Sequence, residues 1–276
     1  MLSRRLFSFG LFLATGVAAL FLLLPLLAIF LRVSPVTLIR QLGDPVVTDA
    51  LLVTLKTNAI AMALILLIGT PAAYLIGTKR FRGRAFAITL VELPLVLPPA
   101  VAGIGLFAAF GRFGLLGTPL RWLGLQIPLT ETAVVMAVAF VASPFYLRGA
   151  IAAFEALDQN LVDAARTLGA SPSRVFFRVA MPLAAGGLGA GAALAFARGI
   201  GEFGATIMFA GSFQGVTQTL PLAIYAEFEV NFDLALTISA LLVLVSAMIL
   251  LAVKLRPAWT RSDSTSSFLF ARSTSS

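Results

Sequence analysis

The sequence contains no cysteine and no histidine, and only 12% of its 276 residues are charged. The absence of cysteine excludes disulfides and thiolate chemistry, and the absence of histidine removes the commonest metal ligand. A soluble domain averages roughly 25% charged residues, whereas this chain is 59% hydrophobic. The composition therefore predicts an integral membrane protein. No small-residue cleavage site follows Arg4, Arg5 and the first apolar run, so that run is predicted to be a retained span rather than a removable signal peptide.

Six stretches approach the length of about 20 mostly apolar residues that a membrane-spanning helix needs. The predicted spans are residues 6–31, 51–76, 85–110, 127–147, 183–203 and 234–253. The predicted fold class is therefore an all-α integral membrane protein with about six transmembrane helices. We expect one transmembrane domain over residues 1–256, followed by a serine-rich flexible tail over 257–276.

The positive charges predict the orientation of the chain. If the N-terminus is cytoplasmic, fourteen of the twenty Lys and Arg residues fall in inner segments and four in outer loops, while Lys56 and Arg198 lie inside spans. Cytoplasmic loops carry an excess of Lys and Arg, so both termini are predicted to be cytoplasmic. The net charge of +8 then reflects topology, and nucleic-acid binding is not expected.

The inner segment 148–182, between spans four and five, is too polar to span and contains clear helix start and stop signals. Asn160 is predicted to cap a short helix that ends at Gly169, a residue suited to the left-handed conformation. Ser171 is predicted to cap a second helix, with Pro172 at its first position and Pro182 ending it.

Three interpretations of this segment are open on shape alone. It could be an amphipathic segment that rests on lipid headgroups, a helix-turn-helix, or a docking element for a cytoplasmic partner. The helix-turn-helix is the poorest of the three, because membrane spans flank the segment tightly.

The segment also resembles the cytoplasmic signature loop of the permease subunits of bacterial ABC importers. That loop has Glu-Ala-Ala, three residues, Gly, nine residues, and then Ile, any residue, Leu and Pro. This chain has Asp163, Ala164 and Ala165, then Gly169, then Val179-Ala180-Met181-Pro182, in the same register. The departures (Asp for Glu, Val for Ile and Met for Leu) are conservative. The resemblance implies that residues 148–182 form a coupling loop that docks on an ATP-hydrolysing subunit. Its candidate docking residues are Asp163, Ala164, Ala165, Arg166, Gly169, Ala170 and Pro182.

The chain has no G-x-x-x-x-G-K-[ST] phosphate loop. If transport is driven by ATP, then ATP and its Mg²⁺ are bound by a partner subunit, and this chain binds no cofactor and catalyses no reaction itself.

Prolines and glycines interrupt spans three and five. Pro94, Pro98 and Pro99 remove backbone donors and are predicted to kink or break span three, while Gly103 and Gly105 allow a neighbouring helix to approach closely. In span five, Gly187 and Gly191 form a face of small residues at i,i+4 spacing. Tight helix packing accounts for most of these glycines, but interrupted helices also line substrate routes in transporters. Glu92, early in span three, is expected to pair with a neighbouring helix or to reach an inner water cavity.

Arg198 and Glu202 lie four residues apart in span five and would share one face of a helix. At about 1.5 Å per residue, Arg198 is roughly 22 Å beyond Leu183 and therefore in the outer part of the membrane. Two compatible interpretations follow: the residues form an ion pair that orders the helix, or they belong to an outer gate whose glycines let the backbone move. The candidate pathway and gate residues are Pro94, Pro98, Pro99, Gly103, Arg198, Gly201, Glu202 and Gly204.

The sequence "GEFGATIMFAG" (201–211), followed by "TQTLPLAIY" (217–225), resembles the molybdate-type permeases of this importer family, as does "LPLVLPPAVAGIGL" (93–106). Ser212 departs from the Asn expected there. The resemblance covers nearly the whole chain. It implies a homodimer of this permease domain, two ATP-binding subunits on its inner loops, and an extracytoplasmic molybdate-binding protein, in the bacterial cytoplasmic membrane.

Residue chemistry alone does not identify the transported anion. Arg198 could donate to a dianion, but Glu202 offsets its charge, and Glu227, Glu229 and Asp233 add negative charge on the predicted outer side. Those acids are expected to contact a binding protein or to stay solvated. Sulfate and tungstate therefore remain alternative cargoes. An ion-coupled secondary transporter is the competing class, although the mid-membrane is nearly free of acids. An intramembrane enzyme is disfavoured by the lack of His, Cys and paired central carboxylates.

Overall fold

The computed structural model describes residues 2–254, and side chains from residue 7 to residue 252. Within that part of the chain the secondary structure is helical, with no strand, which confirms the predicted all-α class. The helices are α1 (Leu2–Arg32), α2 (Pro35–Gln41), α3 (Pro45–Thr78), α4 (Arg84–Val96), α5 (Pro99–Phe110), α6 (Gly117–Trp122), α7 (Glu131–Glu155), α8 (Gln159–Thr167), α9 (Pro172–Val175), α10 (Met181–Ile200), α11 (Gly204–Ala210), α12 (Leu220–Glu227) and α13 (Phe232–Lys254), with a π-helical segment at Phe176–Ala180.

Five helices in the described part of the chain are long and apolar enough to cross a membrane, and α4 with α5 counts as a sixth if the pair forms one span. The five are Phe7–Arg32, Pro45–Thr78, Glu131–Glu155, Pro172–Ile200 and Phe232–Ala252. The chain is thus a multi-pass membrane protein. The predicted tail, 257–276, lies outside the described residues.

The helices of the fourth and fifth predicted spans begin at other residues than predicted. The fourth span begins at Glu131 rather than at residue 127. Pro128 has no amide hydrogen to donate, and Leu129 has a φ of 63°, which a continuing helix does not allow. The fifth helical stretch begins at Pro172 and ends at Ile200, so it starts earlier and ends earlier than predicted.

The chain divides into two compact units, each assembled from separate stretches. The first comprises residues 2–59, 99–138 and 200–246. One of its apolar cores joins α3, α12 and α13 through the buried residues Val47, Ala50, Leu220, Ala223, Leu234 and Ile238. Elsewhere in this unit α5 packs against α11.

The second unit comprises residues 60–98, 139–199 and 247–254. Small residues allow its helices to pack closely: a Cβ on Gly191 would lie 3.0 Å from the carbonyl oxygen of Tyr146, and one on Gly187 would lie 2.5 Å from the Cβ of Ala153. The predicted small-residue face of span five is therefore confirmed as a packing face against α7. In the same unit Tyr146 is fully buried and hydrogen-bonds to Thr70 on α3.

Candidate functional site

The body of the predicted coupling loop is helix α8, which begins two residues earlier than the sequence indicates. Asp158 is its N-cap: the backbone there is extended, and a side-chain oxygen accepts the amide hydrogen of Asn160 at 2.9 Å. The prediction that Asn160 is the cap was therefore wrong, because Asp158 already occupies the capping position and Asn160 lies inside the first turn. Gly169 follows the helix with a φ of +80°, which confirms its predicted left-handed conformation.

The second helix of the loop is longer than predicted. Ser171 caps it and Pro172 is its first residue, as predicted, with the Ser171 Oγ accepting from the amide of Arg174. Pro182 does not end it, however, and the helical path continues to Ile200. The π-helical segment just before Pro182 is the physical reason: the Met181 amide bonds to the carbonyl of Phe176, and the widened turn accommodates a residue that cannot donate.

Aromatic contacts fix this second helix to the rest of its unit. Phe176, at the start of the π segment, packs edge-on against Tyr74 of α3 with ring centroids 4.9 Å apart, and Tyr74 in turn contacts Phe154 of α7 at 5.3 Å. Helix α8 packs against α9 and the π segment, with Val162 2% exposed and Val175 1% exposed. The loop is therefore built on buried contacts to two long helices.

Two leucines are exposed on the α8 segment, one inside the helix and one at its C-cap. Leu161 and Leu168 are 49% and 88% exposed, and their seven-residue spacing places them on the same side of a helix. We call these two residues the docking surface. Beside them, Asp163 and Arg166 form an ion pair of 3.0 Å whose side chains are mostly in solvent, and such a pair contributes about 0–1 kcal/mol. Ala164 and Ala165 lie on the same helix, and Ala170 follows Gly169.

The prolines of the third span break it, as predicted. Pro94 lies inside α4, and Leu97 at the end of that helix has extended backbone dihedrals (φ −68°, ψ 131°). Pro98 follows, and Pro99 begins α5. A residue before proline is biased away from the helical conformation, so the break falls where two prolines are adjacent.

Glycines let α5 and α11 touch. A Cβ on Gly103 would lie 2.6 Å from the carbonyl oxygen of Ala205, and a Cβ on Gly204 would lie 2.8 Å from the Cβ of Pro99. Both distances are shorter than real Cβ contacts. In contrast, a Cβ on Gly105 would meet nothing within 4 Å among the described residues, so the predicted close approach is confirmed at Gly103 and wrong at Gly105.

Arg198 and Glu202 do not share a helix face. Helix α10 ends at Ile200, Gly201 lies in the following turn, and Glu202 lies beyond the helix. The glycines around them explain the error, because they end the helix within the four-residue spacing that the prediction needed. Glu202 is 1% exposed, and its Oε1 accepts the amide hydrogen of Ala205 at 2.7 Å. The carboxylate thus stabilises the N-terminus of α11.

Several ion pairs and hydrogen bonds join residues too far apart in sequence to be predicted. In the first unit, Lys56 pairs with Glu131 at 2.7 Å, and Gln214 donates to Asp49 at 3.0 Å. In the second, Arg148 pairs with Glu92 at 3.1 Å, which confirms that Glu92 pairs with a neighbouring helix. A third ion pair joins Arg84, at the start of α4, to Glu155, at the end of α7. It lies near the predicted cytoplasmic loop, residues 148–182.

A group of buried polar side chains between α11 and α12 was not singled out from the sequence. The side-chain oxygens of Thr206, Ser212, Gln218 and Thr219 are buried and have no hydrogen-bond partner within the part of the chain that the structure describes. These residues are irregularly spaced in a glycine-containing stretch, and no periodicity distinguishes them. Hydroxyl and amide groups can donate hydrogen bonds to a solute without carrying a charge. We therefore count this segment, with Glu202 and Gly204, as a candidate part of the pathway.

Comparisons with known proteins agree on the kind of protein that carries these features. Residues 65–256 match the family described as the binding-protein-dependent transport system inner membrane component. The chain is 42% identical over 236 residues to the molybdenum transport system permease protein ModB of Mycobacterium tuberculosis, covering 86% of this chain and 89% of that protein. It is 41% identical over 178 residues to the protein of the same name from Escherichia coli K12, covering 64% and 78%.

Among solved structures, a bacterial alginate ABC transporter in complex with a periplasmic protein bound to an alginate pentasaccharide contains a chain of similar fold. The TM-score is 0.72 at 15% identity, over 91% of this chain and 93% of that one. At that identity the similarity concerns the fold alone.

Proposed function

Because the chain belongs to the family of binding-protein-dependent transport system inner membrane components, we propose that it is the membrane-spanning subunit of an ATP-driven importer of molybdate. In this assembly two copies of the chain form the pathway, two ATP-binding subunits dock on the coupling loops, and an extracytoplasmic binding protein delivers the anion. ATP and Mg²⁺ belong to the partner subunits. The observation that carries the proposal is 42% identity to a molybdenum transport permease over 86% of the chain.

The docking surface supports the coupling role. Leu161 and Leu168 present apolar side chains to solvent on a helix that is otherwise firmly held, with Val162 buried beneath it. An exposed apolar patch rimmed by polar residues is a candidate interaction site. Asp163, Arg166 and Arg174 provide the polar rim. A cytoplasmic subunit that binds Leu161 and Leu168 can therefore move α8 and α9 together as a rigid unit.

A continuous helix can transmit that movement. The helical path from Pro172 to Ile200 has 29 residues, or about 43 Å at 1.5 Å per residue. Its first turn belongs to the coupling loop, and its last residue directly precedes Gly201, Glu202 and Gly204. Closure of the ATP-binding subunits would displace the start of this helix and thereby switch the conformation of the glycine-containing segment at its end.

The orientation follows from charge. With fourteen Lys and Arg residues on one side and four on the other, the positive-inside rule places both termini and the coupling loop in the cytoplasm. The candidate gate, from Gly201 to Gly211, then lies toward the outer side, where the binding protein releases its anion.

The proposal is tested by reconstituting the chain with its ATP-binding subunit and binding protein in liposomes and measuring uptake of radiolabelled molybdate. We expect uptake that requires ATP and the ATP-binding subunit, and that a large excess of sulfate does not suppress. Efficient competition by sulfate would overturn the molybdate assignment. Uptake driven by an ion gradient without the ATP-binding subunit would instead indicate a secondary transporter.

A further inference from the structure

A cavity of about 380 Å³ lies in the connection between α5 and α7. Its volume is within the range of small-ligand pockets, roughly 300–1,000 Å³. Arg112, Arg121 and Gln126 line it together with apolar residues. None of its lining residues is acidic, and the sequence from Leu93 to Thr130 contains neither Asp nor Glu. The cavity is therefore strongly electropositive.

The backbone holds the two arginines at this cavity. After α5 the chain folds back on the end of that helix, with the amides of Leu115 and Leu116 donating to the carbonyls of Ala108 and Ala109. Gly117 starts α6 so close to the previous turn that a Cβ there would lie 2.4 Å from the carbonyl oxygen of Arg112. Arg121 then follows in the last turn of α6. The positions of both arginine backbones are thus set by local packing.

Both guanidinium groups retain donors for a ligand. Arg121 donates one hydrogen bond to the hydroxyl of Thr118, at 3.3 Å. The Arg112 guanidinium lies over the ring of Phe113, 5.7 Å from its centroid. A guanidinium has five N–H donors in a planar fork, which suits the oxygens of a tetrahedral oxyanion. Two such groups without a carboxylate among them select an anion, and the amide of Gln126 adds a neutral donor.

Exposed apolar side chains close to the two arginines in sequence identify the source of that oxyanion. Phe113, Leu115 and Trp122 are 94%, 88% and 86% exposed, although they lie in a connection and not in a span. Side chains this apolar are stable there if hydrocarbon covers them. Tryptophan beside arginine is typical of the membrane interface, where lipid phosphates lie. If the cavity bound a soluble oxyanion instead, these three apolar side chains would still face water.

We propose that this cavity binds the phosphate of an anionic phospholipid, with Arg112 and Arg121 holding the phosphate oxygens and Phe113, Leu115 and Trp122 lying among the acyl chains. Lipid bound there fixes the α5–α7 connection to the bilayer. The site is separate from the coupling loop, and its existence does not depend on which anion the protein transports.

The test uses Trp122 as the reporter. The sequence has two tryptophans, so Trp259→Phe leaves Trp122 alone in the full chain, reconstituted in lipid nanodiscs. Quenching of its fluorescence is compared between brominated phosphatidylglycerol and brominated phosphatidylcholine at equal mole fraction. We expect stronger quenching by the anionic lipid. A basic residue near an anionic surface contributes about fivefold in affinity, so Arg112→Gln and Arg121→Gln should each lower the preference by about that factor, and the double variant should abolish it.

Arg40→Gln is the matched control, since Arg40 is exposed, lies on the same predicted side and does not line the cavity. Each variant is checked by gel filtration for an unchanged profile, and the two single variants decide the outcome if the double variant does not fold. Equal quenching by the two lipids would overturn the proposal. So would loss of the preference on adding millimolar inorganic phosphate or molybdate, which would assign the cavity to a soluble oxyanion.

Discussion

At the scale of single residues, Glu202 shows how a charged side chain can be kept in an apolar chain. It is 1% exposed, and its carboxylate accepts a hydrogen bond from the amide of Ala205, in the first turn of α11. The first backbone amides of a helix have no acceptor within the helix. The Glu202 carboxylate provides an acceptor for one of them. This hydrogen bond lies in the turn between α10 and α11, and the candidate gate includes that turn.

Glu202→Ala should lower the thermal stability of the detergent-purified complex, because the Ala205 amide loses its acceptor, at a cost of about 1–3 kcal/mol. Glu202→Gln keeps an acceptor oxygen and should keep most of the stability. If the gate needs the negative charge, both variants lower molybdate uptake, while only the alanine variant lowers the melting temperature. Wild-type uptake by the glutamine variant would show that the residue is purely structural.

At the scale of elements, the packing of α5 on α11 depends on glycines, of which Gly103 lies within α5. Gly103 allows the carbonyl of Ala205 and the side chain of Met208 to approach to distances at which a Cβ would clash. Helix α5 directly follows the proline break, and α11 directly follows Glu202. The contact therefore ties together the two interrupted stretches that the sequence indicated as pathway candidates.

Gly103→Ala should destabilise the protein, because its Cβ would lie 2.6 Å from the Ala205 oxygen and 2.8 Å from the Met208 Cβ. Overpacking of this kind costs about 1–3 kcal/mol. Gly105→Ala is the matched control on the same helix, where no described atom lies within 4 Å and alanine favours the helix by up to about 1 kcal/mol. Thermal melting and uptake of both variants check the prediction. Equal effects would show that α5 and α11 do not pack as the structure has them.

The docking surface makes a prediction for the coupling loop. Leu168→Glu places a charge on a side chain that is 88% exposed, so it should leave the permease folded but abolish co-purification of the ATP-binding subunit, with loss of at least tenfold in yield of the complex. Gln159→Glu adds the same charge to the same helix at another exposed position and should retain the complex. Co-purification of Leu168→Glu at the wild-type level would exclude Leu168 from the interface.

At the scale of the whole molecule, the comparisons confirm the resemblance to molybdate-type permeases that the sequence suggested. The match to one of these relatives covers 86% of the chain. The two units of the structure are each discontinuous in sequence. Helices α3, α7 and α13 each extend from one unit into the other.

The orientation of the chain can be measured without background, because the sequence has no cysteine. Thr118→Cys and Thr167→Cys each introduce one thiol at an exposed position, the first in α6 and the second at the end of α8. In intact cells a membrane-impermeant maleimide should label Thr118→Cys only, and permeabilisation should expose Thr167→Cys. The reverse pattern would overturn the positive-inside assignment and place the docking surface outside the cytoplasm.

The sequence by itself determined the features that depend on local backbone chemistry and on periodicity. Apolar runs predicted the helical membrane class, adjacent prolines predicted the break before α5, and Ser171, Pro172 and Gly169 predicted a helix start and a helix end that the structure contains. These signals work because capping, missing amide hydrogens and left-handed dihedrals act within a few residues.

Only the tertiary structure decided what depends on contacts between distant segments. It paired Lys56 with Glu131 and Arg148 with Glu92, selected Gly103 over Gly105 as the close contact, and carried the helix through Pro182 by way of a π turn held against Tyr74. It also ended α10 at Ile200, so Glu202 does not share a helix face with Arg198. The Glu202 carboxylate accepts a hydrogen bond from the backbone amide of Ala205. Local propensity could not predict these outcomes, because each is set by which side chains meet when the helices pack.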